Sequence, residues 1–291
     1  MSKPTAVGSL RQQLIQTFEN PSYRPPPLPS VALELISLAA RDDVDLGEVV
    51  RLLERDQMLA ASVMKLIASP IYAGRTPARS LREAVSRLGI RKVRDAVFET
   101  ALKKSAFAVP PEYAEVVERI GRHGIVTAYL TRVVCRHTRV DEDHAFLCGL
   151  LHDIGFSALL SALGDPANKT PSPPLLEVWS DVDAVHETAS KLVTKLWGLP
   201  SEIAAIVANH HHVHTGASSR VAAVINIADS MTERFSANVV GPKGVDGVPL
   251  PACVIKQSEV DDSRSVLALS DPIMARIQSD AEALVKQLGV V

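Results

Sequence analysis

Nine histidines lie between residues 123 and 214 of this 291-residue chain, and the rest of the sequence contains none. Five of them stand in segments that are otherwise strongly apolar, which predicts side chains that face inward: His123, His152, His186, His210 and His211. Several imidazoles in one core repel one another's protons and are costly to desolvate unless a cation organises them. The clustering therefore predicts a metal site.

Two aspartates complete the candidate ligand set. His152 and Asp153 are adjacent, about 100° apart on a helix, so both can reach one central site and the carboxylate can bridge two cations. Asp229 is the only acidic residue in the apolar segment 221–231, where a buried charge must be paired or must bind metal. Imidazole and carboxylate ligands without a thiolate favour one or two ions of Fe, Mn, Zn, Ni or Co over Ca.

Apolar residues recur at helical spacing along almost the whole chain, which predicts an all-α fold. The pairs Asp45–Glu48 and Ser80–Glu83 have the spacing of capping boxes that begin helices. Weak β character is confined to residues 239–254, where we expect a loop or an edge hairpin. The predicted helices cover about 1–20, several segments between 30 and 107, and then 111–137, 142–163, 175–197, 201–212, 218–235 and 271–288.

Proline clusters at residues 25–29 and 109–111 interrupt the helical pattern and indicate boundaries. We predict four segments on this basis. They are an N-terminal helix with a Pro-rich linker (1–27), an amino-terminal helical subdomain (28–110), a second helical subdomain that carries the candidate metal site (111–235) and a C-terminal extension that ends in a helix (236–291).

Composition restricts the partners and the compartment. The 31 basic and 33 acidic residues give a formal net charge of -2 without a block of like charge, so nucleic acid is a poor partner. The first ten residues lack a signal-peptide core, and no uninterrupted apolar stretch approaches the length that spans a bilayer. Three cysteines without a CxxC pair are typical of reduced thiols: Cys135, Cys148 and Cys253. We expect a cytoplasmic protein without a membrane partner.

The remaining charged clusters and histidines have simpler interpretations. The only cluster of basic residues in the sequence consists of Arg91, Lys92, Arg94, Lys103 and Lys104. We interpret it as a solvated helix face in preference to a surface that binds a nucleotide or a partner. We expect four histidines to be solvated, although either of the last two could reach a substrate from a loop: His137, His144, His212 and His214.

Several short motifs resemble a known family. Residues 146–155 read FLCGLLHDIG, and His186-Glu187 is followed by WGLP at 197–200 and by His210-His211. Over roughly residues 22–215 the chain resembles the HD superfamily of metal-dependent phosphohydrolases, and within it the HDOD output domain. The resemblance implies an HD-type helical domain preceded by an amino-terminal helical bundle, as in HDOD proteins. The bundle matches the family at Leu28-Pro29 and at the SLREA segment of residues 80–84.

The resemblance also implies roles for the site residues. Catalytic relatives, including HD-GYP cyclic-dinucleotide phosphodiesterases, carry their metal ligands in the order His, His-Asp, His, His-His, Asp. The same order is present here in His123, His152, Asp153, His186, His210, His211 and Asp229. Activity would then be phosphoester hydrolysis, in which cations polarise phosphoryl oxygens and activate a water. His152 and Asp153 would be the catalytic pair, with Asp153 bridging the ions.

The sequence departs from these relatives at three places. Phe156 stands where HD-GYP enzymes have Lys, the Gly-Tyr-Pro segment is absent, and Ala68 stands where HDOD domains often have Asn. HDOD members commonly act as regulatory modules, so the resemblance implies signal transduction. Three functions remain open. The first is an adaptor for a signalling protein, in which the metal site is vestigial and empty of metal or is purely structural. The second is a metal-dependent phosphodiesterase or phosphohydrolase acting on a nucleotide or cyclic dinucleotide, and the third is a module that senses such a second messenger without cleaving it.

Overall fold

The computed structural model describes residues 10–41, 43–104, 107–165, 172–213, 219–238, 240–244, 246–251 and 255–288. The beginning of the predicted first helix, His214 and Cys253 lie outside these residues. The described α-helices are α1 (Leu10–Glu19), α2 (Ser30–Ala39), α3 (Leu46–Leu53), α4 (Gln57–Ile67), α5 (Leu81–Leu88), α6 (Ile90–Lys104), α7 (Pro111–Arg136), α8 (Glu142–Leu151), α9 (Ile154–Leu163), α10 (Leu175–Leu196), α11 (Ser201–Val207), α12 (Ser219–Thr232), α13 (Gln257–Leu267) and α14 (Asp271–Leu288). The predicted all-α fold is confirmed, because these residues contain no strand, only one isolated antiparallel bridge between Lys243 and Pro249.

The described residues divide into two compact units, one within residues 26–106 and 282–290 and the other within 1–25 and 107–281. In the smaller unit α6 packs against α2, α4 and α5, and α3 packs against α2 and α5. Two predicted helix starts are confirmed there. The side chain of Asp45 accepts from the Gly47 amide at the start of α3, and Ser80 Oγ accepts from the Glu83 amide at the start of α5. Gly89, with a φ of 77°, ends α5.

The larger unit is arranged around α7. This helix packs against α8, α9 and α12, while α10 packs against α9 and α11, and α1 lies on α10. Two predicted helices are shorter than expected. The segment 142–163 is divided into α8 and α9 by a turn at His152 and Asp153, and the helix that begins at Ser201 ends at Val207, so His210 and His211 lie in the turn that follows.

The turn between α8 and α9 is held by the side chain of Ser190 in α10. Ser190 Oγ donates to the carbonyl oxygen of His152 (2.7 Å) and accepts from the amide of Gly155 (2.9 Å). A Cβ at residue 155 would lie 2.1 Å from the carbonyl oxygen of His186, so only glycine allows this approach. The helix break therefore depends on a long-range contact that helical periodicity cannot reveal.

The C-terminal residues of the larger unit continue its fold. The amide of Gly241 donates to the carbonyl of Leu250 (2.8 Å), and the amide of Leu250 donates to the carbonyl of Pro242 (2.9 Å), in agreement with the expected loop or hairpin. Helix α13 packs against α12, and we did not predict it. Its sequence, QSEVDDSRSVL, has too few apolar residues to show a helical stripe.

By length and composition alone, residues His144–Leu163 are apolar enough to cross a membrane. In the fold 78% of this window is buried inside the protein, and the His152-Asp153 turn interrupts it. Core helices of globular proteins meet the same criterion of length and hydropathy. The structure accounts for the apolar character of the segment by its packing against α7 and α12.

Replacing Gly155 with Ala should destabilise the larger unit, because the new methyl group overlaps the backbone of α10. We expect the free energy of unfolding to fall by about 1–3 kcal/mol, as for other overpacked cores. Denaturant titration followed by circular dichroism measures this change.

The matched control is Gly121→Ala, because a Cβ at this exposed position in α7 meets nothing within 4 Å. Ala favours a helix interior over Gly, so this variant should gain about 0.5–1 kcal/mol. Equal stabilities for the two variants would contradict the role assigned to Gly155.

Candidate metal centre

All seven predicted ligand residues are buried, and their side chains converge on one cluster within the larger unit. The seven side chains come from five separate parts of the helical frame. His123 lies in α7, His186 in α10 and Asp229 in α12, whereas the other four lie in turns, namely His152 and Asp153 before α9 and His210 and His211 after α11.

One half of the cluster surrounds Oδ2 of Asp153. Nε2 of His123 lies 3.3 Å from this oxygen, 3.2 Å from Oδ1 of Asp229 and 3.1 Å from Nε2 of His152. Nε2 of His152 lies 3.4 Å from the same Asp153 oxygen. Two imidazoles and two carboxylates thus point their ligating atoms at one small volume.

The other half surrounds Oδ1 of Asp153. Nε2 of His186 and Nε2 of His210 lie 3.5 Å and 3.4 Å from this oxygen. Nε2 of His211 lies 3.2 Å from Nε2 of His186. The two oxygens of one carboxylate therefore face different sets of imidazoles, which is the arrangement that a bridging ligand requires.

These separations fit a metal ion. Ligand atoms about 2.0–2.1 Å from a tetrahedral ion lie about 3.3 Å apart, and the distances within each half cluster around this value. Hydrogen bonding alone leaves part of the cluster unsatisfied, because three buried atoms have no hydrogen-bond partner among the described residues: Asp153 Oδ1, His210 Nε2 and His211 Nδ1. Buried polar atoms without partners are costly, and metal coordination would satisfy the first two.

Backbone carbonyls orient four of the imidazoles. Each carbonyl accepts a hydrogen bond from Nδ1 and can only accept, so Nδ1 carries the proton and Nε2 keeps its lone pair for a cation. Three of these carbonyls lie three residues earlier in the chain, for His152 (Gly149), His186 (Asp183) and His210 (Val207), at 2.7, 2.5 and 2.8 Å. The fourth bond is long-range and joins His123 to the carbonyl of Ala237 at 3.0 Å.

In the absence of a cation, protons take its place. Burial lowers the pKa of His123, but the charges of Asp229 and Asp153 outweigh it and raise that pKa to about 10. At His210, burial also lowers the pKa, but the hydrogen bond and charge of Asp153 outweigh it and raise that pKa to about 9. Burial dominates at His152 and lowers its pKa to about 4. The cluster thus concentrates positive charge around one carboxylate.

Residues that sequence reasoning did not assign to the site hold it in position. Glu187 accepts from the amide of His211 (3.2 Å) and lies 3.6 Å from Nδ1 of His210. The side-chain amide of Asn226 donates to the carbonyl of His210 at 3.5 Å. Glu187 was visible as the neighbour of His186 in the family motif, but nothing in the local sequence distinguishes Ser190 or Asn226.

Phe156 closes the cluster on the side of His186. Its ring is fully buried and stacks on the imidazole of His186, with centroids 4.4 Å apart and planes at 8°, and on Trp179 at 5.2 Å and 14°. The departure from HD-GYP enzymes noted in the sequence therefore replaces a potential phosphate contact with an apolar wall.

The expectation for His137 is wrong in part. Its Nε2 lies 2.9 Å from a carboxylate oxygen of Asp280, and the side chain is only 21% exposed. His144 is 27% exposed and 4.0 Å from Glu202, and His212 is exposed. These three histidines lie outside the cluster.

The HDOD family model matches residues 26–213, and the chain belongs to the HDOD domain family. The match covers more than half of the chain and ends before Asp229. The fold, the family and the buried His/Asp cluster agree with the resemblance carried by the sequence motifs.

Comparison with known proteins gives distant relatives. An uncharacterised protein of Treponema pallidum (strain Nichols) is 23% identical over 197 residues, which cover 65% of this chain and 38% of that protein, so the chain matches less than half the length of this relative. Among solved structures, an HDOD domain protein of unknown function from Geobacter sulfurreducens has a TM-score of 0.69 at 22% identity, with 96% of this chain and 97% of that chain covered.

Two further structures share the fold. A candidate metal-dependent phosphohydrolase from Shewanella amazonensis SB2B has a TM-score of 0.62 at 19% identity and covers 93% of this chain and 99% of its own. A candidate signal transduction protein from Marinobacter aquaeolei VT8 has a TM-score of 0.64 at 22% identity. The alignment covers 96% of this chain and 63% of that chain. At these identities the likeness shows the fold alone.

Metal binding should release protons. At pH 7 the imidazoles of His123 and His210, with pKa values raised to about 10 and about 9, both carry a proton that a cation must displace. Binding should therefore release about two protons, and metal affinity should rise from pH 6 toward pH 9. Calorimetry of Zn²⁺ binding in buffers of different ionisation enthalpy counts the protons.

The matched control is His144→Ala, because this histidine lies outside the cluster. It should release the same number of protons as the unmodified chain. Zn²⁺ binding without release of protons, or a Zn²⁺ affinity that does not change between pH 6 and pH 9, would contradict the protonation states assigned to the cluster.

Proposed function

We propose that this chain is a regulatory module of signal transduction that binds one or two divalent transition-metal ions and responds to a nucleotide or a protein partner in the cytoplasm. The observation that carries the proposal is the Asp153 carboxylate, whose two oxygens each lie within 3.5 Å of imidazole Nε2 atoms. A buried carboxylate surrounded by imidazole Nε2 atoms, each with its Nδ1 bound elsewhere, is a ligand set suited to a dinuclear site.

Residues of both halves would hold the ions. His123, His152 and Asp229 would bind one, and the other would lie among His186, His210 and His211, with Asp153 shared between them. Imidazole and carboxylate ligands suit Fe, Mn, Zn, Ni or Co. When bound, such ions supply Lewis acidity toward phosphoryl oxygens.

The aromatic wall at Phe156 supports regulation in preference to turnover. Stacked between Trp179 and His186, it offers no charge to a phosphate on that side of the cluster. Catalysis of phosphoryl transfer depends on cationic groups that stabilise developing negative charge. A site with metal ligands but without a charged group at this position suits ligand recognition or structural stability.

Purified protein should contain transition metal, and Asp153→Ala should remove it. Loss of the shared carboxylate takes a ligand from both halves, so we expect at least a tenfold fall in metal per chain. Elemental analysis by inductively coupled plasma mass spectrometry measures the metal content.

His144→Ala serves as the control and should retain the full metal content, since it removes an imidazole that contacts no cluster residue. Circular dichroism identifies any variant that has failed to fold. A folded Asp153→Ala protein with unchanged metal content would overturn the proposed centre.

A second candidate function is phosphoester hydrolysis at the same cluster. It is favoured by the complete set of ligands and by a cavity that reaches His123 and Asp229. That cavity gives a substrate access to one half of the cluster, which a purely structural metal would not require.

Hydrolysis of bis(p-nitrophenyl) phosphate in the presence of Mn²⁺ separates the two functions. If the chain is a regulatory module, we expect no turnover above that of Asp153→Ala. The reason is that Phe156 supplies no cationic group to stabilise the negative charge that develops on the phosphate. Turnover that is abolished in Asp153→Ala and retained in His144→Ala would establish the hydrolase instead.

A further inference from the structure

A cavity of 580 Å³ adjoins the first half of the cluster. His123 and Asp229 lie at its surface, and the remaining lining residues come from the end of α12, the following turns, α13 and the first turns of α14. Ligand-binding cavities measure about 300–1,000 Å³, so this one can hold a small organic molecule.

Nearly all of this cavity is built from residues that the HDOD family model does not cover. The family match ends at residue 213, whereas, among the residues that the structure describes, all of the lining except His123 lies at Asp229 or beyond. The cavity is thus a feature of the C-terminal segment, placed against a cluster that the family segment supplies for the most part.

Beside the carboxylates of Asp229, Glu233 and Asp271, the lining contains three kinds of side chain suited to a base and a phosphate. Met231 and Met274 offer thioether side chains, which contact aromatic rings favourably. The amides of Gln257 and Gln278 both donate and accept hydrogen bonds, as recognition of a heterocyclic base requires. Arg264 adds a guanidinium, the group that matches phosphate best.

The guanidinium of Arg264 is held at the cavity by a carboxylate. Its Nη2 donates to Oδ1 of Asp271, which also lines the cavity. The carboxylate is 89% exposed and Arg264 is 28% exposed, so the pair is accessible to an anion from outside. A phosphate would compete with Asp271 for the same guanidinium.

Helix α13, which carries Arg264, is fixed to the cluster through a buried polar contact. Ser263 Oγ donates to the side-chain oxygen of Asn226 (2.9 Å), and the amide of Asn226 donates to the carbonyl of His210 (3.5 Å). Ser263 and Asn226 are both fully buried. Helix α13, which forms one wall of the cavity, is therefore connected to the metal-ligand cluster by buried hydrogen bonds.

We propose that this cavity binds a nucleoside phosphate, with its phosphate on Arg264 and its base against the methionine and amide side chains. The assignment rests on the proposed function for the metal centre at the end of the cavity, where a cation would add to the attraction for the ligand. Asp271 acts as a competitor that lowers affinity for the phosphate.

Adenosine and guanosine 5′-monophosphate are the probes, because they are the smallest molecules that carry both a phosphate and a base. Isothermal titration calorimetry on the full chain loaded with Mn²⁺ should give saturable binding of at least one probe. Arg264→Gln should weaken it about tenfold or more, through loss of a charge-assisted contact. Asp271→Asn should strengthen it about threefold, because a competing carboxylate is removed.

Two matched variants control for the change in charge. Arg276→Gln removes a guanidinium from the exposed surface of α14, and Asp262→Asn removes a carboxylate from the exposed surface of α13, and neither residue lines the cavity. Both should bind the probes as the unmodified chain does. The proposal would be overturned if neither probe bound to the unmodified chain. It would also be overturned if Arg264→Gln and Arg276→Gln bound the probes with equal affinity.

Metal content measured on the same samples separates this inference from the proposed function. If the chain contains metal but Arg264→Gln does not change its affinity for the probes, the nucleotide site is wrong and the metal centre stands. If the chain contains no metal but Arg264→Gln weakens probe binding, the metal centre is wrong and the nucleotide site stands.

Discussion

The structure of the larger unit depends on one buried carboxylate, that of Asp153. A carboxylate that is only 4% exposed is stable only where polar or charged partners surround it, and Nε2 atoms of His123, His186 and His210 lie within 3.5 Å of it from separate elements. The helical frame must therefore bring α7, α10 and the turn after α11 to within a few ångströms of the turn between α8 and α9. The close approach of Gly155 to α10 makes this convergence possible.

Orientation of the imidazoles is encoded more locally than their convergence. His152, His186 and His210 each donate from Nδ1 to the carbonyl three residues earlier, so the same short backbone relation turns each ring. This relation does not depend on whether the residue stands within a helix or in a turn, since His186 lies in α10 and the other two lie in turns. Ring orientation is thus largely independent of tertiary packing, while ring position depends on it entirely.

The sequence was sufficient for the all-α fold, for the helix starts at Asp45 and Ser80, and for the residues that form the cluster, because periodicity, caps and buried polar residues are local signals. It was insufficient for the break at His152 and Asp153. That segment contains no helix-breaking proline, and its interruption depends on Ser190 in another helix. Helix α13 escaped prediction because its sequence contains few apolar residues, and the cavity that its side chains line was missed with it.

The carbonyl of Ala237 has a consequence for communication within the chain. It is the acceptor that keeps the proton of His123 on Nδ1, and it lies in the segment after α12, beyond the reach of the family model. A displacement of about 1 Å would break this hydrogen bond and release the ring of His123 from the orientation that aims Nε2 at Asp153. The C-terminal segment therefore sets the direction of one imidazole of the cluster, although it lies outside the part of the chain that defines the family.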